Sequence, residues 1–108
     1  MKLINWTENS QRKGSNMDLE DKLRGEIVSY AEKNHIEKVI LFGSRARGSN
    51  HDRSDIDLAV QGGDVRTFKY DLDEHARTLL MFDVVDLAKP GLSEELLAEI
   101  ERDGVRLL

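Results

Sequence analysis

The period of the apolar positions changes several times along the chain, and each change marks an element. Leu19, Leu23, Ile27, Tyr30 and Ala31 recur at helical spacing, which predicts an amphipathic helix beginning at Asp18 as its N-cap. "KVILFG" (38–43) is a short apolar run closed by glycine and reads as a buried strand. "SDIDLAV" (54–60) is a second strand, and "QGGD" (61–64) is a turn. Val65, Phe68, Leu72, Ala76 and Leu79 fall on one face of a helix over residues 65–80. "FDVVDLA" (82–88) is a third strand, and "KPG" breaks the chain after it. Ser93 caps a helix running to about Asp103, with Leu92 and Leu97 placed as a hydrophobic staple. Gly104 sits where a C′ glycine stands, and "VRLL" closes as a short edge strand. The order αββαβαβ predicts an α/β (α+β) fold with one small mixed sheet packed with helices.

Residues 1–16 are mostly polar and lack any period, so they read as a polar tail ahead of one domain over residues 17–108. No apolar run approaches the roughly 18 residues of a membrane span, and the first residues lack a signal-peptide stretch. The chain has no cysteine, which excludes disulfides and thiolate metal sites. A cytoplasmic protein without a membrane partner is the expectation. The net charge of −5 argues against broad nucleic-acid binding. The charge is uneven, however: residues 43–54 hold Arg45, Arg47 and Arg53 against Asp52 alone. A basic pocket in an acidic protein suits a small polyanion.

The polar groups at the strand ends carry the candidate chemistry. A strand ending in Gly43-Ser44 before a short helix exposes backbone N–H groups, a ready anion site. Gly43 lets a phosphate approach the backbone, Ser44 adds a hydroxyl, and Arg45 and Arg47 stand nearby as either phosphate contacts or solvated charges. Alone, this turn also fits an ordinary helix start capped by Ser44. Asp55 and Asp57, two apart on a strand, point to one face and repel one another. Oxygen ligands at that spacing suit Mg²⁺ held by carboxylates and substrate phosphates, although an isolated Asp-x-Asp also fits a solvent-facing strand end. Asp83 offers a third carboxylate. Asp86 has opposite strand parity, so at most one of Asp83 and Asp86 shares the face of interest.

The combination is more specific than its parts: Gly43-Ser44, ten intervening residues, Asp55-x-Asp57, and a later strand with Asp83. "FGSRARGS", "SDIDLAV", "FDVVDL" and "EIERDGVRLL" together resemble the nucleotidyltransferase superfamily that includes DNA polymerase beta. The likeness is to its smallest branch, the minimal nucleotidyltransferase (MNT) domains, and covers residues 18–108. It implies the polymerase beta-like fold and transfer of a nucleoside monophosphate, AMP from ATP, to an acceptor hydroxyl. By the same resemblance, Gly43 and Ser44 hold the terminal phosphates. Asp55 and Asp57 ligate two Mg²⁺ ions, and Asp83 completes the catalytic metal site and helps to deprotonate the acceptor. Minimal nucleotidyltransferases of this kind are antitoxins to HEPN-domain ribonucleases and transfer AMP to a tyrosine of that partner, which makes a HEPN toxin the expected partner here. Two alternatives stay open: an antitoxin that silences the HEPN partner by binding alone, and an aminoglycoside-like transferase acting on a small molecule.

The other polar and aromatic candidates have structural readings. His51, His75 and Arg53 read as surface residues, Trp6 and Phe82 as packing residues, and Tyr70 as partly buried on its helix. No histidine cluster has zinc-ligand spacing.

Overall fold

The computed structural model describes residues 17–108. The tail over residues 1–16, with Trp6, lies outside the described residues. The elements are α1 (Asp21–Lys33), β1 (Lys38–Phe42), α2 (Gly43–Arg47), β2 (Ile56–Gln61), α3 (Val65–His75), β3 (Phe82–Asp86), α4 (Glu94–Asp103) and β4 (Val105–Arg106). The four strands form one mixed sheet in the order β3-β2-β1-β4. β1 is antiparallel to both β2 and β4, and β2 is parallel to β3. The expected α/β architecture is therefore present.

Strand alternation splits the core in two. Val39 and Leu41 of β1, Ile56, Leu58 and Val60 of β2, and Phe82 of β3 face α1 and α3, where they meet Leu23, Ile27, Ala31, Phe68 and Leu72. The opposite face buries Ile40, Phe42, Ala59 and Leu87 with Ile100 of α4. Phe68 is fully buried, a contribution of about 1.5–3 kcal/mol for a side chain of that size. Among the described residues no helix is long and apolar enough to cross a membrane.

Several boundaries depart from the periodicity. Asp18 does not cap α1. Its N–H donates to the Arg45 carbonyl at 2.9 Å and its carboxylate accepts from Asn50 Nδ2 at 2.8 Å, so it is tied to the segment after β1. The helix opens instead at Asp21, with Glu20 at the cap position and no side-chain cap. α3 ends at His75 rather than at residue 80, and Leu79 is 101% exposed. Ala76 turns to extended backbone, and the Arg77 N–H donates to the Glu26 carboxylate of α1 at 3.2 Å. Five more helical residues would carry the chain about 7.5 Å further along the helix axis, when it must turn back to enter β3. Tyr70 is 58% exposed, contrary to the expectation of partial burial.

The last helix follows its sequence closely. Ser93 Oγ accepts from the Leu96 N–H at 3.1 Å, and Leu92 and Leu97 pack on the smaller core. Gly104 occupies the C-cap position with φ −63°, so it is not a left-handed C′ glycine.

Candidate active site

The site grows from the end of β1. Phe42 is extended, and Gly43 then enters α2 with φ +74°. That value alone favours glycine. A second demand comes from the neighbouring strand: a Cβ at Gly43 would run into the Asp57 carboxylate, 3.2 Å from its Cγ. The backbone of the Gly-Ser turn therefore lies directly against Asp57. Ser44 is half-exposed at the start of α2, which ends in left-handed Gly48 with φ +78°.

Register assembles the carboxylates. Asp57 pairs with Phe42 on one side and with Asp83 on the other. All three side chains project on the α4 face of the sheet, because Ile56, Leu58 and Phe82 fill the opposite one. Asp55 precedes β2 on the same side and is exposed. Burial pushes the Asp57 carboxyl up from 3.8 to about 6, and the charges of Asp83, Asp55 and Glu99 add to the shift against the opposing pull of Arg47. Asp86 pairs with Val60 on the far face, and its carboxylate accepts from the Ala88 N–H at 2.9 Å.

The two arginines separate. Arg45, a candidate phosphate contact in the sequence, is turned inward at 5% exposure. Its Nε donates to the Ser54 carbonyl at 3.0 Å, and its terminal nitrogens to the carbonyls of Asp52 at 2.9 Å, Asp18 at 3.3 Å and His51 at 3.4 Å. It clamps the loop that carries Asp55. Arg47 is exposed and bridges two carboxylates of α4, Glu99 at 3.3 Å and Asp103 at 3.2 Å. Hydrogen bonds from Arg102, and then from Arg47, hold the Asp103 carboxyl below the usual range. His51 and Arg53 are exposed, as expected, and His75 lies edge-on to Tyr70 and tilted against Tyr30.

Glu99 and Asp103 were not legible as members of this neighbourhood. Their i,i+4 spacing on α4 was the only signal, and it reads equally as a solvated helix face.

Among the described residues no three His, Cys, Asp or Glu groups converge closely enough to hold one metal ion by themselves. The donor set nevertheless fits a hard divalent cation. Asp57 and Asp83 stand side by side, Asp55 is adjacent, all donors are oxygen, and the mutual repulsion that adds to the effect of burial on Asp57 is what such a cation relieves.

The sequence profile described as polymerase beta, nucleotidyltransferase matches residues 25–108. The chain belongs to that family. No match was found among curated proteins. Solved structures agree on the fold. A toxin–antitoxin crystallised with AMP-PNP superposes with TM-score 0.63 at 26% identity, covering 79% of this chain and 72% of that one. A variant of the toxin–antitoxin MntA-HpeT gives TM-score 0.62 at 25% identity over 84% and 73%. The tri-AMPylated Shewanella oneidensis HEPN toxin in complex with MNT antitoxin gives TM-score 0.55 at 22% identity over 83% and 72%, a likeness of fold alone. As a nucleotidyltransferase, the chain has the strand-end carboxylates and the glycine turn on one side of one sheet.

Proposed function

We propose that this nucleotidyltransferase moves AMP from ATP to a tyrosine hydroxyl of a HEPN toxin partner, in the cytoplasm, and so acts as its antitoxin. The observation that carries the reading is the in-register pair Asp57 and Asp83 beside the Gly43-Ser44 turn. The similar toxin–antitoxin structures, one of them with AMP-PNP, support the nucleotide and the class of partner.

The roles follow from placement. Gly43 leaves the turn bare of a Cβ, so the Asp57 carboxylate lies against the backbone that would receive the triphosphate, and Ser44 offers its hydroxyl to the terminal phosphates. Asp55, Asp57 and Asp83 would hold two Mg²⁺ ions, which supply positive charge to the triphosphate and to the pyrophosphate that leaves. Arg47 sits at the edge of the acidic group, within electrostatic range of Asp57. The tyrosine oxygen bonds to the α-phosphorus, the bond from that phosphorus to the bridging oxygen breaks, and Asp83 draws off the hydroxyl proton.

The test is incubation of the chain with labelled ATP, Mg²⁺ and its HEPN partner, followed by mass spectrometry of the partner. The expected result is AMP on a tyrosine, lost when Mg²⁺ is chelated. A partner silenced without added AMP would overturn transfer in favour of inhibition by binding. AMP delivered only to a small hydroxylated molecule would overturn the choice of acceptor. The fold itself should also be stabilised by Mg²⁺-ATP, by roughly 2.7 kcal/mol at about 100 times Kd. An equal stabilisation by ATP with a chelator would contradict the metal-dependent site.

A further inference from the structure

Among the described residues β3 is an edge strand, and its outer side carries backbone groups that are not bonded to β2. The Ile56 N–H donates to the Met81 carbonyl at 2.9 Å and the Leu87 N–H to the Val60 carbonyl at 2.8 Å. Odd-numbered residues of β3 therefore turn their backbone toward β2, and the alternation of the ladder turns Phe82, Val84 and Asp86 outward. Among the described residues the Asp86 carbonyl alone is taken there, by the Lys89 N–H at 3.1 Å, and Phe82 is itself buried. The opposite edge of the sheet, β4, is two residues long and offers much less.

A groove of about 440 Å³ runs beside this edge between β3 and α3, floored by Val65, Tyr70 and Val84. Its rim carries Arg66, Lys69 and Lys89 against Asp73 and Asp86. Lys69 pairs with Asp73 at 2.6 Å, and Asp86 accepts from the Ala88 N–H. Among the described residues Arg66 and Lys89 form no ion pair, although Asp64 acts on Arg66 electrostatically, and the groove's own lining carries one more cation than carboxylates on a chain of net charge −5. Met81, 67% exposed, adds an apolar contact just before the strand.

We propose that the outer edge of β3 and this groove dock an extended acidic segment of a partner protein, which joins the sheet as a fifth strand. Backbone bonds to Val84 hold the segment, apolar side chains cover Val84 and Val65, and a carboxylate meets Arg66 and Lys89. The inference is independent of AMP transfer, because it uses neither the Gly-Ser turn nor the side chains of Asp55, Asp57 and Asp83.

The probe is a capped peptide of alternating Glu and Val, titrated into the ¹⁵N-labelled full chain, with a Lys/Val peptide as the charge control. The Glu/Val peptide should shift the amides of Phe82, Val84 and Asp86 most and bind several-fold more weakly as salt rises. The Arg66→Glu, Lys89→Glu double variant should lose about tenfold or more in affinity, with its melting temperature little changed. Val84→Pro, which deletes one outward N–H, should weaken binding as well. Equal binding of the Lys/Val peptide would overturn the proposal. So would amide shifts mapping elsewhere, a double variant that binds like the parent, or the absence of binding at millimolar peptide. A chain that already dimerises through β3 would assign the edge to a second copy instead.

Discussion

Asp57 and Asp83 are direct partners in the parallel register of β2 and β3, with their carboxylates on the same face of the sheet. Nothing in hydrophobic packing asks for two adjacent negative charges there. The pair, with Asp55 beside it, is a cost to the folded chain that a positively charged ligand would remove.

That cost has a pH signature. The folded-state pKa of Asp57 is raised from 3.8 to about 6, by burial first and then by Asp83 and Asp55. The folded protein therefore holds this proton more tightly than the unfolded chain does. The resulting stabilisation is present below about pH 4 and is lost as pH rises through about 6. With metal chelated, Asp57→Asn should raise stability near pH 7.5 by about 1 kcal/mol, a figure reduced for solvent screening of a partly exposed group. The gain should vanish near pH 4. Urea denaturation of both proteins across that range checks it, and a variant less stable at every pH would show Asp57 to be a structural hydrogen-bonding residue.

Gly43 and Gly25 should respond oppositely to alanine. At Gly43, with φ +74° and Asp57 against its Cα, Gly43→Ala should cost about 1–3 kcal/mol and displace the carboxylate as well. Gly25 lies inside α1 with open space around it, so Gly25→Ala should stabilise by about 0.5–1 kcal/mol. Thermal melts of the two variants decide the matter, and a Gly43→Ala protein as stable as the parent would contradict the close approach.

The arginines offer a similar contrast. Arg45→Met leaves the carbonyls of Ser54 and Asp52 without their donor in a partly buried place, which should cost about 1–3 kcal/mol. Arg47→Met removes only exposed ion pairs and should cost less than about 1 kcal/mol. It should, however, lift the Asp57 pKa further, since Arg47 is the group that lowers it. Carboxyl NMR titration of the metal-free variant measures that shift, and no change would place Arg47 outside the site's field.

Asp83→Asn and Asp86→Asn separate the two faces of β3. Transfer to the acceptor should fall by orders of magnitude in the first, because a charge held at the reacting group acts in the transition state. It should survive in the second, whose carboxylate is bonded to its own turn. The reverse result would mean that β3 is shifted by one residue against β2.

Much of this arrangement was decided by local rules. The two-residue period of strands alone put Asp55 and Asp57 on one face and separated Asp83 from Asp86. The apolar runs and the glycine turn marked β1 and the start of α2, and Ser93 marked α4, because a strand end or a cap depends on a handful of neighbouring residues. Tertiary structure decided what depends on distant segments. The same side-chain type, two residues apart, became a buried clamp at Arg45 and an exposed bridge at Arg47. The difference is which way α2 turns each of them against a loop and a helix from elsewhere in the chain. α3 stopped at His75 because the chain had to reach the edge of the sheet, although its apolar period ran on to Leu79. Glu99 joined the electrostatics of Asp57 only once α4 had packed across β1, a proximity made by folding between residues forty-two apart in sequence.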